Sequence, residues 1–172
     1  MARQIWLLRH AEAEPHGTRE DSERRLTPRG EEQARAAGVA LAQLGARFDS
    51  VLYSPKVRAR ATAELAAEAW PAECRELLAE HLPLASGFDA TDALAALEQA
   101  PDRAGNEAGR RVLLVGHEPD LSGVIAGLCG GNVDLKKGGL AVVRLEGARG
   151  ELAVVLRPRE VALIAGVPVG RE

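Results

Sequence analysis

The sequence predicts an α/β protein of three layers, a mainly parallel sheet with helices on both faces. Three observations carry that expectation. Short apolar runs at residues 5–8, 51–53 and 112–115 have the unbroken character of strands buried on both sides. They alternate with segments whose apolar residues recur at helical spacing. Two of the runs stop abruptly at a histidine, in Leu7-Leu8-Arg9-His10-Ala11-Glu12 and in Gly116-His117-Glu118-Pro119.

In chain order, residues 5–8 form the first strand. Residues 11–26, rich in charge and without a period, read as a surface loop, a place where specificity often resides. Thr27 caps the first helix and Pro28 suits its first position. Ala34, Ala37, Leu41 and Leu44 make its apolar stripe, and Gly45 ends it. A short second strand at 51–53 runs into Ser54-Pro55, which repeats the cap-plus-proline start. Arg58, Thr62, Leu65 and Ala69 then share one helix face at spacings of four, three and four, while Arg60 points away. Residues 77–80 read as a third strand ending in Glu80, and 83–90, with Pro83, Gly87 and Asp89, as a loop. Leu94 and Leu97 mark a helix up to Pro101, and 102–110 form a polar connector. After the strand at 112–115, Pro119 starts a helix with Leu121, Val124, Ile125 and Leu128 as its stripe, stopped by Gly130-Gly131. Residues 140–145 and 152–156, around Gly147 and Gly150, read as a hairpin at the end of the sheet, and 159–165 as a short terminal helix. With no internal repeat and no linker, residues 1–172 are expected to form a single domain.

Composition narrows the function. A net charge of −3 argues against a general nucleic-acid binder, and an aromatic content of 3% against base-stacking platforms. Cys74 and Cys129 lack metal-ligand spacing and read as reduced thiols of a cytoplasmic protein. The apolar run before Arg9 is too short for a signal peptide, and no stretch is long enough to span a bilayer. No membrane or nucleic-acid partner is therefore expected.

In open α/β sheets ligands bind beyond the carboxyl ends of the strands. If the strands before His10 and His117 are parallel, both imidazoles reach one edge of the sheet together with Arg9. An arginine on a core-facing stripe needs an anionic partner, and Arg58 stands at the sheet-edge end of its stripe. Two imidazoles and two arginines make a site for an anion such as a phosphoryl group. His16 and His81 do not follow buried-type runs and stay outside this constellation.

Leu-Arg-His at the end of the first strand, Ser54-Pro55-x-x-Arg58 and Gly116-His117-Glu118-Pro119 together resemble the histidine phosphatase superfamily, the phosphoglycerate-mutase-like fold. Leu26-Thr27-x-x-Gly30 is also similar to that family, and the likeness runs from the start to the helix after His117. The compact length, the Arg-His-Ala opening and Gly-His-Glu-Pro look most like the small SixA-type phosphohistidine phosphatases. The resemblance implies that His10 is the nucleophile, becoming a phosphohistidine, and that Arg9, Arg58 and His117 bind the phosphoryl group. It places a general acid at Glu80, where the residues that usually follow the acid are replaced by His81-Leu82-Pro83. No metal or cofactor is implied. The partner would be a phosphorylated protein, such as a histidine-phosphotransfer domain, or a small phosphorylated metabolite. Three competing readings stand beside this: a small-molecule phosphomonoesterase of the same fold, a non-catalytic phospho-ligand binding module, and a metallohydrolase using His10, His117 and Asp120.

Overall fold

A computed structural model describes residues 2–103, 109–147 and 149–168. Six strands form one sheet: β1 (Arg3–Arg9), β2 (Ser50–Tyr53), β3 (Leu78–Glu80), β4 (Arg111–Gly116), β5 (Leu140–Glu146) and β6 (Arg149–Leu156), in the order β3-β2-β4-β1-β5-β6. The four strands β1 to β4 are parallel, whereas β5 runs antiparallel to β1 and β6 antiparallel to β5. The sheet is thus mixed, with the expected parallel portion and the expected terminal hairpin.

Helices cover both faces, and strand alternation decides which side chain meets which layer. Ile5, Leu7, Val112 and Leu114 pack with residues of α4 (Ala90–Gln99) and α5 (Asp120–Cys129). Trp6, Leu8, Leu113 and Val115 pack with α1 (Pro28–Gln43), α2 (Val57–Ala67) and α6 (Pro158–Ile164). The central runs are apolar without interruption because every side chain is covered, each such burial contributing roughly 1.5–3 kcal/mol. A one-turn helix, α3 (Ala72–Arg75), had no signal in the apolar pattern.

Several local expectations change. Leu44 caps α1 rather than packing and is 45% exposed. Ser54-Pro55 does not open α2, which starts two residues later with Lys56 as N-cap. On α2, Leu65 is half-buried and Ala69 is exposed beyond the helix end, so the inward stripe is Arg58, Ala59, Thr62, Ala63 and Ala66. Within the 83–90 loop, Asp89 caps α4 through a capping box with Asp92, and residues 82–85 form a 3₁₀ turn. The 11–26 loop carries a 3₁₀ turn at Asp21–Glu23 and a β-bridge between Ala13 and Leu26. Of the 102–110 connector, residues 104–108 lie outside the described residues. His81 directly follows β3, which is largely exposed, in keeping with its place outside the buried-type runs.

Register places the site. Arg9 lies opposite Gly116 across the β1–β4 pair. The next residue keeps the ladder going, with the His10 N–H donating to the Gly116 carbonyl (3.0 Å). Ser54 N–H donates to Val115 O (3.0 Å) and His81 N–H to Tyr53 O (2.9 Å). The carboxyl ends of β1, β2, β3 and β4 therefore share one rim, with His10, Ser54, His81 and His117 leaving it side by side.

Candidate active site

The centre of the rim is a pair of imidazoles. The rings of His10 and His117 lie 5.1 Å apart at 54°, and the two residues are 5% and 7% exposed. His10 Nδ1 is 2.7 Å from the Ala11 carbonyl oxygen. A carbonyl only accepts, so Nδ1 carries the proton and Nε2 keeps its lone pair. Arg58, 4% exposed, directs its Nε–H at that same Nε2 (3.4 Å). A relay of Thr62 supports both: its Oγ1 accepts from Ala11 N (3.1 Å) and donates to the Arg58 carbonyl (2.7 Å). The i, i+4 spacing of Arg58 and Thr62 on α2 puts guanidinium and hydroxyl on one helix face, as their spacing predicts.

His117 is held from the other side. Its Nε2 lies 2.7 Å from Ser54 Oγ. Ser54 Oγ already accepts from Lys56 N–H (3.3 Å), so its own proton is free to donate to His117 Nε2. With Ser54 as the donor, the His117 proton sits on Nδ1, a buried atom with no partner. Arg9 donates from Nη1 to Leu135 O (2.9 Å), and its buried Nε–H has no partner either. A buried donor left unpaired costs roughly 1–3 kcal/mol. Two of them beside a lone pair and a guanidinium suit an oxyanion, which accepts from every donor at once.

Electrostatics follow from the same burial. Desolvation, with His117, Arg58 and Arg9 adding their charge, pushes His10 down to about 3 against the pull of the Ala11 hydrogen bond. Desolvation and then Arg58 and Lys56 push His117 down to about 3. Both imidazoles are neutral at neutral pH, so the positive charge of the site comes from Arg9, Arg58 and Lys56. A neutral His117 serves the site as an Nδ1–H donor and not as an imidazolium.

Glu80 stands apart. It is exposed at the end of β3, and among the described residues no hydrogen bond or ion pair joins it to His10, Arg58 or His117. Its charge is felt by Arg60, itself paired with Glu64 (2.8 Å) on the outside of α2. Asp120 accepts from Phe88 N–H (3.3 Å), tying the 83–90 segment to the start of α5. Among the described residues no group of three His, Cys, Asp or Glu side chains converges as a metal-ligand set.

Sequence reasoning missed Ser54, fully buried against His117, because a Ser-Pro pair before a helix reads as a cap. It also missed Asp21, Arg24 and Lys56, which meet at the edge of the site (Lys56 Nζ–Asp21 Oδ2 3.1 Å, Arg24 Nη2–Asp21 Oδ1 2.9 Å). The one hint in the sequence is an Asp and an Arg at i, i+3 in a loop.

Comparison with known proteins bears on the family and the fold. The family model of the histidine phosphatase superfamily (branch 1) matches residues 5–112. An uncharacterized protein of Picosynechococcus sp. is 32% identical over 158 residues, 85% of this chain and 87% of that protein. The mitochondrial serine/threonine-protein phosphatase PGAM5 of Rattus norvegicus is 38% identical over 85 residues, 48% of this chain but 29% of its own length. Among solved structures, the protein histidine phosphatase SixA complexed with tungstate superposes with a TM-score of 0.74 at 24% identity, over 92% of this chain and 99% of that one. The alpha-ribazole phosphatase of Shigella flexneri does so with a TM-score of 0.63 at 20% identity, over 90% and 96%. With a family match across more than half its residues, the chain belongs to the histidine phosphatase superfamily.

Proposed function

We propose that this protein is a phosphatase that works through a covalent phosphohistidine at His10 and acts on phosphohistidine carried by a protein. One observation carries the first half: Nδ1–H of His10 is spent on the Ala11 carbonyl, so a neutral Nε2 lone pair faces Arg58. In the first step Nε2 attacks phosphorus and the bond from phosphorus to the leaving group breaks. The imidazole becomes cationic, and its Nδ1–H, held by Ala11 O, bears part of that charge. Arg9, Arg58 and His117 Nδ1–H stabilise the transferring oxygens, which is the main work of such a site. Water then attacks the phosphohistidine, releasing phosphate and restoring neutral His10. Charge stabilisation by arginine makes a metal unnecessary, and the reading involves no cofactor.

The leaving group supports the second half. An alkoxide needs a proton from a general acid. Glu80 is exposed beside Arg60, and Asp21 is held ionised by Lys56 and Arg24. A phosphohistidine protonated on its far ring nitrogen leaves as neutral imidazole when the P–N bond breaks, and so demands no further proton from an acid. SixA is by name a protein histidine phosphatase and PGAM5 a serine/threonine-protein phosphatase, so both names point to protein substrates and only the first to phosphohistidine; SixA, at 24% identity, and the alpha-ribazole phosphatase, at 20%, share the fold. The test compares kcat/KM for a phosphohistidine-bearing phosphotransfer protein, a phosphoserine peptide and a sugar phosphate. The phosphohistidine protein should be preferred by at least about tenfold. A sugar phosphate turned over fastest would make this a small-molecule phosphomonoesterase.

A further inference from the structure

We propose that Asp21 is a positioning residue for phosphoryl transfer: from the loop after His10 it fixes the guanidinium of Arg58 against Nε2 of His10 and lets three cations crowd beside the site. This rests on the phosphatase reading above. Asp21 accepts from three side chains. Its backbone carbonyl takes Arg58 Nη1–H (2.5 Å) and its Oδ2 takes Arg58 Nη2–H (3.3 Å). The same Oδ2 takes Lys56 Nζ (3.1 Å). Its Oδ1 takes Arg24 Nε (3.1 Å) and Nη2 (2.9 Å).

Arg58 is thereby fixed at three nitrogens, Nη1 and Nη2 on Asp21 and Nε on His10 Nε2. A planar fork held at three points has one orientation, which is what transfer to a defined nitrogen requires. Arg24 in turn is anchored, since its Nη1 donates to Glu14 O (2.7 Å) and its side chain is 7% exposed. The loop is closed on itself by the Glu14 N–H to Arg25 carbonyl bond (2.8 Å) and the Arg25 N–H to Glu14 carboxylate bond (3.0 Å). Asp21 is therefore presented by a braced segment.

Charge gives the second reason. Arg24 and Arg58 are close enough for Arg24 to lower Arg58, after burial itself. Without a carboxylate between them, two guanidinium groups and the Lys56 ammonium would repel one another and turn away. Hydrogen bonds from Lys56 and then Arg24 hold the Asp21 carboxyl well below the usual range, so it remains an anionic acceptor and is no proton donor. His16, exposed, also faces it, with Nδ1 3.8 Å from Oδ1.

A double-mutant cycle on the full chain tests this. With p-nitrophenyl phosphate as probe, Asp21→Asn should lower kcat by at least about tenfold, with a smaller rise in KM, because a displaced Arg58 harms the transition state most. Binding of inorganic phosphate, measured by calorimetry in wild type, D21N, R58A and the double variant, reads the coupling without turnover. The effect of D21N should be at least about fivefold less favourable with Arg58 present than in its absence. Asp21→Ala, made in parallel, should show the same coupling. An unchanged kcat in D21N, or equal factors in both backgrounds, would overturn the proposal. If the wild type turns over no phosphate ester or phosphohistidine, the phosphatase reading falls, while the phosphate cycle still decides the role of Asp21.

Discussion

At the scale of residues, burial does two jobs with one arrangement. It keeps His10 and His117 neutral, and it leaves donors on Arg9 and His117 unpaired. The first has a measurable consequence for stability. Both folded histidines titrate near 3, below the value of about 6.5 expected in the unfolded chain. Between these values the unfolded state binds more protons, so stability must rise with pH and be lost as pH falls from about 6.5 towards 3. Urea unfolding should show a slope of up to about 1.4 kcal/mol per pH unit for each histidine in that window. His117→Gln should flatten it, and a slope unchanged in that variant would contradict the assignment. The two arginines of α2 should separate cleanly. Arg58→Ala removes a buried donor at Nε2 and is expected to lower kcat/KM by roughly 100-fold or more, whereas Arg60→Ala, losing only an exposed pair with Glu64, should stay within about twofold. Equal losses in steady-state kinetics would refute the helix-face assignment. Arg9, His10, Arg58 and His117 were legible because each follows from strand-end or helix-face position. Ser54 and Asp21 were not, since their roles depend on contacts across 63 and 37 residues of chain.

At the scale of elements, α1 and α2 hold the site by packing closely, and glycine makes this possible. A Cβ on Gly30 would lie 1.9 Å from the Glu12 carbonyl oxygen, so the Thr27-x-x-Gly30 start of α1 seats directly on the segment that follows His10. A Cβ on Gly38 would lie 1.9 Å from the Ala66 carbonyl oxygen. The alanine-rich inward stripe of α2 completes that contact, and Trp70 Nε1–H donates to Gly38 O (3.0 Å). Gly38→Ala pits propensity against packing. Alanine favours the helix by about 1 kcal/mol, but backbone cannot yield as a side chain does, and overpacking costs about 1–3 kcal/mol or more. Net destabilisation in a urea titration is expected, with loss of activity as Arg58 shifts on α2. A raised midpoint would show that the helices part freely. The α1 start was readable because Thr27 accepts from Gly30 N–H as a cap should. The α2 start was misread because Ser54 spends its hydroxyl on His117 instead.

For the whole molecule, sheet order explains why the fold was legible. Central strands β1 and β4 are covered on both faces, and continuous apolar runs announce that. The direction of β5 and its half-exposed neighbour β6 was recoverable only as a hairpin around Gly147 and Gly150. Because four parallel strands end on one rim, the proposed catalytic groups come from segments far apart in sequence, and in this proposal their charge is supplied by side chains of the chain itself. Activity should accordingly survive exhaustive chelation. Loss on chelation with recovery by a divalent ion would favour metal-assisted hydrolysis.

The central claim is that His10 Nε2 carries the phosphoryl group during turnover. Rapid quenching of the enzyme with ³²P-labelled substrate, followed by separation of protein from phosphate, measures it directly. The account predicts acid-labile, base-stable label that maps to His10 and is absent from His10→Ala. Label that persists in that variant, or turnover by the wild type with no labelled protein at any quench time, would contradict it.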